Sequence, residues 1–387
     1  MTAALDPRPV LAAIRGALGR TGTVHLHEPL LDGNAARYVG ECVASGWVSS
    51  AGAFVDRIEC DLAAVTGHAA AVAVVNGTAA LHAALHLAGV RPGDEVLVPS
   101  LTFVATANAV RHCGAIPHFV DVEDETLGLC PDALRRRLDA VATTVGDGLR
   151  NRETGRPLRA VVPMHAFGLP ARTAELAAIC EERGLALVED AAEALGSTRG
   201  GRHVGHDGRA AILSFNGNKI VTTGGGGALL TNDTDLARRA KHLTTTAKLP
   251  HRWEFRHDEV AWNYRMPNLN AALGCAQLER LPDFLAAKRA LHDRYAAAFE
   301  GVPGVRLVRE PEGTRSNHWL SSLLLDERSV AVRDALLGAA HAEGLLLRPA
   351  WEPLHRLPMY RDCPRDGLSV TEDLAARLVN LPSSAFL

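Results

Sequence analysis

The sequence predicts an α/β protein: a large, mostly parallel α/β/α sheet domain and a smaller α+β domain at the C-terminal end. Between residues 67 and 245, short apolar runs of strand length alternate with segments whose apolar residues recur at helical spacing. Short buried strands separated by helices are typical of a parallel sheet with helices on its faces. After about residue 265 the pattern changes to longer helices, and 387 residues are enough for two domains.

The elements follow in a regular order. A helix is predicted up to about Leu18, and Gly184 stops a later one. The predicted strands of the large sheet are 71–75, 95–99, 116–122, 159–165, 185–189, 211–215 and 228–231. The predicted helices include one that begins near residue 81, then 106–112, 173–183, 268–281, 283–299 and 330–343, with C-terminal strands at 319–325 and 345–348. The polar stretch 143–157 is expected to be a surface loop.

These elements predict three parts of the chain. Residues 1–25 are expected to form an N-terminal helical segment, residues 26–260 a large α/β domain, and residues 261–387 a small α+β domain. In an open parallel sheet, ligands gather beyond the carboxyl ends of the strands. The functional residues are therefore expected just after those strands.

Composition excludes several classes of protein. Apolar residues make up 47% and charged residues 22%, and the net charge of -3 gives no field suited to nucleic acid. No apolar run reaches the roughly 18 residues that span a bilayer, and no signal peptide is recognisable, so we expect a cytoplasmic protein with no membrane partner. Seven scattered cysteines without a C-x-x-C pair argue against disulfides or zinc. His82 and His86 lack the glutamate of H-E-x-x-H, so no metal is predicted.

Two charged residues stand where a parallel sheet would bring them together. Asp190 follows the apolar run 185–188, and Lys219 lies in a turn before the glycines 224–227. Singly, a loop lysine is usually solvated and an acid after a strand usually caps a helix. Together they are the fixed charges that a pyridoxal phosphate enzyme needs. The Lys219 amine forms a Schiff base with the cofactor, and Asp190 keeps the pyridine nitrogen protonated so that the ring accepts electrons.

A phosphate site is predicted at residues 76–81, where a strand passes into a helix. Gly77 permits a sharp turn, and the amides of Thr78 and Ala79 would point at an anion at the helix N-terminus. Taken alone, an ordinary cap by Thr78 is the better interpretation. Beside Lys219 and Asp190, a phosphate site becomes the better one.

Further residues near the predicted strand ends are candidates with open alternatives. Phe103 could cover one face of a flat cofactor ring or belong to the core, and Ala192 is small enough to pack against the opposite face. His165 could contact the cofactor or cap a turn. The segment 262–267 mixes aromatic and polar groups, which fits a site edge, a subunit contact or both.

The chain resembles the DegT/DnrJ/EryC1/StrS family of nucleotide-sugar aminotransferases over essentially its whole length. The matching pieces are 45–47, 76–81, 99–106, 189–192, 214–219, 263–266 and 353–355. Longer runs at 27–29, 47–50, 214–227 and 243–253 resemble the LegC-type branch. The resemblance implies the fold type I of pyridoxal phosphate-dependent transferases. It also implies an enzyme that moves an amino group from L-glutamate to C4 of a nucleotide-linked 4-keto-6-deoxy-N-acetylhexosamine, for bacillosamine or legionaminic acid synthesis.

The same resemblance implies roles for individual residues. Lys219 matches the lysine that holds pyridoxal phosphate, which passes through pyridoxamine phosphate, and Asp190 matches the pyridinium partner. Thr78, Ala79 and Ser214 match the phosphate cradle, and Phe103 the position that stacks on the ring. Asn263 matches a residue that reaches the phosphate of the neighbouring subunit, which implies a homodimer with shared sites. His355 matches a position near the sugar.

Two departures from the family pattern affect the expected site. Glu193 stands where the family often has His or Gln near the phenolic oxygen of the cofactor, and a carboxylate there would be repelled unless protonated or turned away. Gly225 stands where the family usually has Glu.

Three other functions are compatible with parts of this pattern. A pyridoxamine-dependent nucleotide-sugar dehydratase is one, but such relatives have His in place of Lys219. A cofactor-binding protein without turnover is disfavoured because Lys219, Asp190 and the phosphate cradle occur together. An aminotransferase that acts on a different keto sugar stays open, because no motif reads the nucleotide base.

Overall fold

The computed structural model describes residues 5–146 and 148–387. Its α-helices pack in layers around two sheets, and within the described ranges none is both long and apolar enough to cross a membrane. The helices are α1 (Pro7–Leu18), α2 (Ala35–Ser45), α3 (Ala53–Thr66), α4 (Gly77–Leu87), α5 (Val104–His112), α6 (Pro131–Val141), α7 (Thr173–Arg183), α8 (Thr234–Thr244), α9 (Asn268–Glu279), α10 (Leu281–Ala298), α11 (Val330–Ala342) and α12 (Ser369–Arg377).

The strands are short, and those of the large sheet are buried along most of their length. They are β1 (Ala70–Val74), β2 (Glu95–Pro99), β3 (Ile116–Val120), β4 (Ala142–Val145), β5 (Gly148–Asn151), β6 (Leu158–Val161), β7 (Ala186–Asp190), β8 (Thr198–Arg199), β9 (Arg202–His203), β10 (Ala210–Ser214), β11 (Gly227–Thr231), β12 (Lys248–Leu249), β13 (Arg256–His257), β14 (Val305–Leu307), β15 (Thr314–Arg315), β16 (Ser321–Leu325), β17 (Arg348–Pro349) and β18 (Leu378–Leu381).

Seven strands form the large sheet in the order β1-β11-β10-β7-β6-β2-β3. The run from β10 to β3 is parallel, and only β11 is antiparallel to its two neighbours. The predicted α/β class with a mostly parallel sheet is therefore confirmed. Because five parallel strands end at the same edge, the loops that follow them converge there.

Apolar residues on both faces of the strands explain why helices cover both sides of this sheet. Successive side chains of a strand point to opposite faces. In β1, Val72 and Val74 pack with α4, α5 and α8, whereas Ala71 and Ala73 pack with α2, α3 and α9. A third cluster covers the β3 and β6 end with α6 and α7. This layering places the N-terminus of α4 directly at the carboxyl end of β1.

The second sheet is antiparallel, in the order β14-β16-β18-β17. Helix α1 packs with it and with α10 and α11, through a core that includes Ile14, Leu291 and Leu323. Helix α9 instead packs on α2 and α3 against the large sheet. The predicted domain limits at residues 25 and 260 stay a prediction.

The expected surface loop 143–157 was wrong in part. Strands β4 and β5 pair as a hairpin there, with Ala142 opposite Asn151. β-branched residues 143–145 favour the extended form. The amide of Asn151 donates to the buried carboxylate of Glu95 at 2.8 Å, which ties the hairpin to β2. The polar composition of this stretch did not indicate strands, because both strands are only partly buried.

Candidate active site

A cavity of about 320 Å³ opens where the carboxyl ends of the parallel strands meet. Its size lies within the range of roughly 300–1,000 Å³ that is usual for small-molecule sites. The lining comes from the ends of β7 and β10, from loops after β1, β2 and β6, and from two later segments. The lining residues are Asn76, Gly77, Thr78, Leu81, Phe103, Ala105, Met164, Asp190, Ala192, Glu193, Ile212, Ser214, Asn216, Asn218, Lys219, Gly225, Gly226, Trp319 and Trp351.

Lys219 reaches this cavity from the turn after β10. Its backbone N–H donates to the carbonyl of Asn216 at 3.0 Å, which closes the turn. The Nζ atom donates to Oε1 of Glu193 at 3.0 Å and lies 4.0 Å from the ring centroid of Trp319. The amine is therefore held between a carboxylate and an aromatic face, and it points into the cavity rather than into solvent.

Asp190 is the last residue of β7 and is only 4% exposed. Its carboxylate accepts a hydrogen bond from Oγ1 of Thr106 at 2.8 Å and one from the Ala192 N–H at 3.2 Å. Burial raises the pKa of Asp190, while these two hydrogen bonds act to lower it. A cation beside this carboxylate would be strongly stabilised, because little water screens it.

Glu193, the first departure from the family pattern, lies in the cavity beside Lys219. One carboxylate oxygen accepts from the amine of Lys219, and the other accepts from the Phe167 N–H at 2.9 Å. Burial raises the pKa of Glu193, and the nearby Lys219 amine lowers it. Each carboxylate oxygen thus has a donor, but the group still lines the cavity and is not turned away from it.

The opposite end of the cavity is built from small residues. A Cβ on Gly227 would lie 2.6 Å from the nitrogen of Gly77, so only glycine permits this approach of backbone to backbone. Thr78 and Ser214 line the cavity here. The Ala79 N–H, which was expected to be free, donates to Oδ1 of Asn76 at 2.8 Å. The helix cap is therefore Asn76 and not Thr78, because the Asn76 side chain reaches back to that amide.

Phe103 and Ala192 both line the cavity. Phe103 is 49% exposed, which excludes the alternative of a core phenylalanine and leaves its ring available to a ligand. Gly225 also lines the cavity and contributes no side chain there. That position leaves open space where the family usually has a glutamate.

Asn263 and His355 do not line this cavity. Asn263 is exposed and forms an isolated bridge with Thr245. His355 is held through both ring nitrogens, by Oγ of Ser100 and Oε1 of Glu372, each at 2.7 Å. Within the described chain, His355 therefore joins the C-terminal segment to the end of β2.

His165 is not a ligand of the cavity. Its Nε2 lies 3.1 Å from the carboxylate of Glu189, and its Nδ1 accepts from the Ala171 N–H at 3.0 Å. The open alternative is decided in favour of a structural role. His82 and His86 both pack against Trp262, so the segment 262–267 contacts α4 rather than the cavity.

A family model described as the DegT/DnrJ/EryC1/StrS aminotransferase family matches residues 29–387. The chain belongs to this family. It is 36% identical over 361 residues to GDP-perosamine synthase of Vibrio cholerae, with 93% of this chain and 94% of the relative covered. It is 32% identical over 374 residues to dTDP-4-dehydro-2,3,6-trideoxy-D-glucose 4-aminotransferase of Saccharopolyspora spinosa, with 93% and 91% covered.

A solved structure agrees with this membership. The aminotransferase TlmJ from Streptoalloteichus hindustanus superimposes with a TM-score of 0.84 at 31% identity, over 95% of each chain. The chain is thus a nucleotide-sugar aminotransferase of the pyridoxal phosphate-dependent type, as the resemblance implied.

The cavity of this aminotransferase fits pyridoxal phosphate. A buried carboxylate at Asp190 suits a protonated ring nitrogen, and an amine at Lys219 suits an aldehyde. The glycine-lined end beside the N-terminus of α4, with Thr78 and Ser214, suits a phosphate group. The cavity brings together the residues that the sequence predicts for one cofactor site, except Ala79, Asn263 and His355.

Sequence reasoning missed the two tryptophans of the aminotransferase site. The indole Nε1 of Trp319 donates to the Asn218 carbonyl at 2.7 Å, and its ring faces Lys219. Trp351 stacks on Phe167, with ring centroids 4.4 Å apart. No local signal marks either residue, because each reaches the cavity from the C-terminal part of the chain.

Proposed function

We propose that the enzyme transfers an amino group from L-glutamate to C4 of a nucleotide-linked 4-keto-6-deoxy-N-acetylhexosamine, in the manner of the LegC-type branch. The observation that carries the chemistry is the Lys219 amine, held 3.0 Å from Glu193 in the cavity that Asp190 also lines. The resemblance of residues 27–29, 47–50 and 243–253 to the LegC-type branch supports the sugar class. The cytoplasmic location stays a prediction.

In this proposal each residue has a definite task. Bound pyridoxal phosphate supplies an electron sink that stabilises negative charge on the carbon losing a proton. Asp190 holds positive charge on the ring nitrogen, and Thr78 and Ser214 bind the phosphate end, whereas the Ala79 amide is occupied by Asn76. Lys219 Nζ moves a proton to and from the reacting carbon. Glu193 holds the Lys219 amine in place, Phe103 covers one face of the ring, and Ala192 leaves room on the other.

A second candidate substrate is a GDP-linked sugar without the N-acetyl group. It is favoured by the 36% identity to GDP-perosamine synthase over 93% of this chain. The relative from Saccharopolyspora spinosa is a 4-aminotransferase by name, which supports amination at C4 in either case. The two candidates differ at C2, where only the first carries an acetamido group, so one assay separates them.

The test is a panel of UDP- and GDP-linked 4-keto-6-deoxy sugars, each with and without a 2-acetamido group. Formation of 2-oxoglutarate from L-glutamate and of the amino sugar is measured, with Lys219→Ala as the inactive control. The proposal expects the highest kcat/KM with a 2-acetamido sugar. A preference of tenfold or more for a sugar without that group would replace the first candidate by the second.

We also propose that the active unit is a homodimer whose sites use residues of both subunits. Asn263 lies outside the cavity of its own chain and is exposed. The preceding stretch carries three apolar side chains that the single chain leaves uncovered: Trp253 (71% exposed), Phe255 (80%) and Val260 (96%). Exposed apolar groups of this size commonly mark an interface with another chain.

Mixed dimers test the sharing of sites. Lys219→Ala protein and Asn263→Ala protein are each expected to lose most activity. If the two residues serve one cofactor from different chains, a mixed dimer has one site with both lesions and one with neither, and activity reappears as subunits exchange. Mixed dimers that are verified by differential tagging and stay inactive would exclude this role of Asn263. The assignment of the chain as an aminotransferase would still hold.

A further inference from the structure

Lys288 is a buried lysine without an acidic partner among residues 5–146 and 148–387. It lies on α10 and is 1% exposed. Its Nζ donates to the carbonyl of Trp319 at 3.2 Å and to the carbonyl of Ser383. Burying an amine is unfavourable unless its hydrogen bonds are made, so these two contacts are needed for its burial. Burial lowers the pKa of Lys288 to about 7.

One of these contacts fixes a residue of the active site. The Trp319 carbonyl accepts the hydrogen bond from Lys288, and the Trp319 backbone N–H donates to Oδ1 of Asn317 at 2.8 Å. The preceding residue, His318, has a φ of 47°, which is strained for a residue with a side chain. Strained backbone persists only where its surroundings hold it. Lys288 is one of the groups that hold it here.

The same tryptophan side chain positions Lys219. The Lys219 Nζ lies 4.0 Å from the centroid of the Trp319 ring, and the indole N–H donates to the carbonyl of Asn218 at 2.7 Å. The ring thus contacts both the amine and the backbone just before it. A displacement of the Trp319 main chain would move both contacts together.

A small cavity lies behind this arrangement. It measures about 10 Å³ and is lined by His27, Lys288 and Ile220, the residue after Lys219, among others. Both ring nitrogens of His27 are inaccessible to solvent and have no hydrogen-bond partner within the described residues. Burial, together with the charge of Lys288, lowers the pKa of His27, so one ring nitrogen is an acceptor at neutral pH. The space is about that of one water molecule, which would bridge an unpaired nitrogen.

We propose that Lys288 is a positioning residue for Lys219, which it fixes in place through the Trp319 carbonyl. The proposal rests on the role proposed above for Lys219. Lys288 is absent from the lining of the cofactor cavity, so it acts on Lys219 through Trp319 and not by contact with the cofactor.

The test compares Lys288→Met with a matched control, Tyr295→Phe. Tyr295 lies on the same buried helix and donates to the Pro382 carbonyl at 2.8 Å. Its loss loosens α10 and the C-terminal segment without touching Trp319. Both variants, loaded with cofactor, are titrated by pH while the visible absorbance band is recorded, and thermal melts show whether each is folded.

The expected result is a shift of the titration midpoint by roughly half a pH unit or more in Lys288→Met, with a fall in kcat and little change in KM. Tyr295→Phe should behave as the wild type does. A Trp319→Phe variant removes the bond to Asn218 and keeps Lys288. Adding Lys288→Met to it should then change the midpoint little further, because both act through one residue.

Two outcomes overturn different claims. If Lys288→Met titrates like Tyr295→Phe, or if its effect adds fully to that of Trp319→Phe, the positioning role is excluded. If Lys288→Met does not fold, Trp319→Phe decides: a pH midpoint equal to that of the wild type excludes the positioning role. Lys219→Ala is measured in parallel: a visible band that survives there removes the proposed role of Lys219 itself, which is a separate failure.

Discussion

Replacing Asp190 by asparagine tests the electrostatics of the site. The side chain keeps its size, but the charge that would face the ring nitrogen is lost. Because Asp190 is only 4% exposed, water cannot replace that charge. The loss of one preorganised electrostatic group in a buried site corresponds to about 10²- to 10³-fold in kcat, or roughly 2.7–4 kcal/mol. We therefore expect kcat of Asp190→Asn to fall at least about 100-fold.

Thr106→Val provides a graded control for this prediction. It removes the 2.8 Å hydrogen bond to Asp190 but keeps the carboxylate and the bond from Ala192. A hydrogen bond to a charged group contributes roughly 1.5–3 kcal/mol, so we expect a loss of about 10- to 150-fold, smaller than that of Asp190→Asn. The fall in kcat should be larger in Asp190→Asn than in Thr106→Val, and this order is as informative as the size of either fall.

The stability of Asp190→Asn without cofactor should move the other way. Burial raises the pKa of Asp190, which means that the fold disfavours its charged form. A neutral isostere should therefore melt at the same temperature or higher at pH 7. Steady-state 2-oxoglutarate formation and thermal melts supply the two readouts. A fall of kcat of less than about threefold, or a fall smaller than that of Thr106→Val, would refute the assignment of Asp190.

Two further predictions concern ionisable groups. Glu193→Gln removes the charge that faces the Lys219 amine at 3.0 Å, so kcat should fall by roughly tenfold or more. Formation of 2-oxoglutarate at the wild-type rate would contradict this. Burial lowers the pKa of His318 to about 2 and of His292, stacked at 3.9 Å, to about 4, so stability is lost as pH falls below the unfolded value near 6.5. Between pH 7 and pH 5, His318→Asn should lose about 2 kcal/mol less stability than the wild type, and equal losses in chemical denaturation would contradict this.

Local sequence pattern predicts much of this fold because each strand and helix has its own periodicity. The runs 95–99 and 173–183 match β2 and α7 without adjustment. Lys219 and Asp190 were found because they follow elements whose ends must converge, whereas Glu193 was singled out only through the family resemblance. The hairpin at 142–151 was missed because its strands are polar and half exposed.

The rest of the site depends on contacts between distant parts of the chain. Trp319 meets Asn218 across 101 positions, and no spacing rule connects them. The Ala79 amide was expected to be free, but it donates to the Asn76 side chain. Asn76 and Thr78 could each cap the helix, and composition alone does not decide between them. Asn263 lies outside the cavity of its own chain, so the role proposed for it requires a second subunit.

The most direct test of the central claim is to find the lysine that holds the cofactor. The loaded enzyme is reduced with borohydride, which fixes pyridoxal phosphate to the amine that binds it, and the digest is mapped by mass spectrometry. The account predicts the phosphopyridoxyl group on Lys219, and no label when L-glutamate is added before reduction. A label on another lysine, such as Lys241 or Lys288, would contradict the account, whatever the activity of the enzyme.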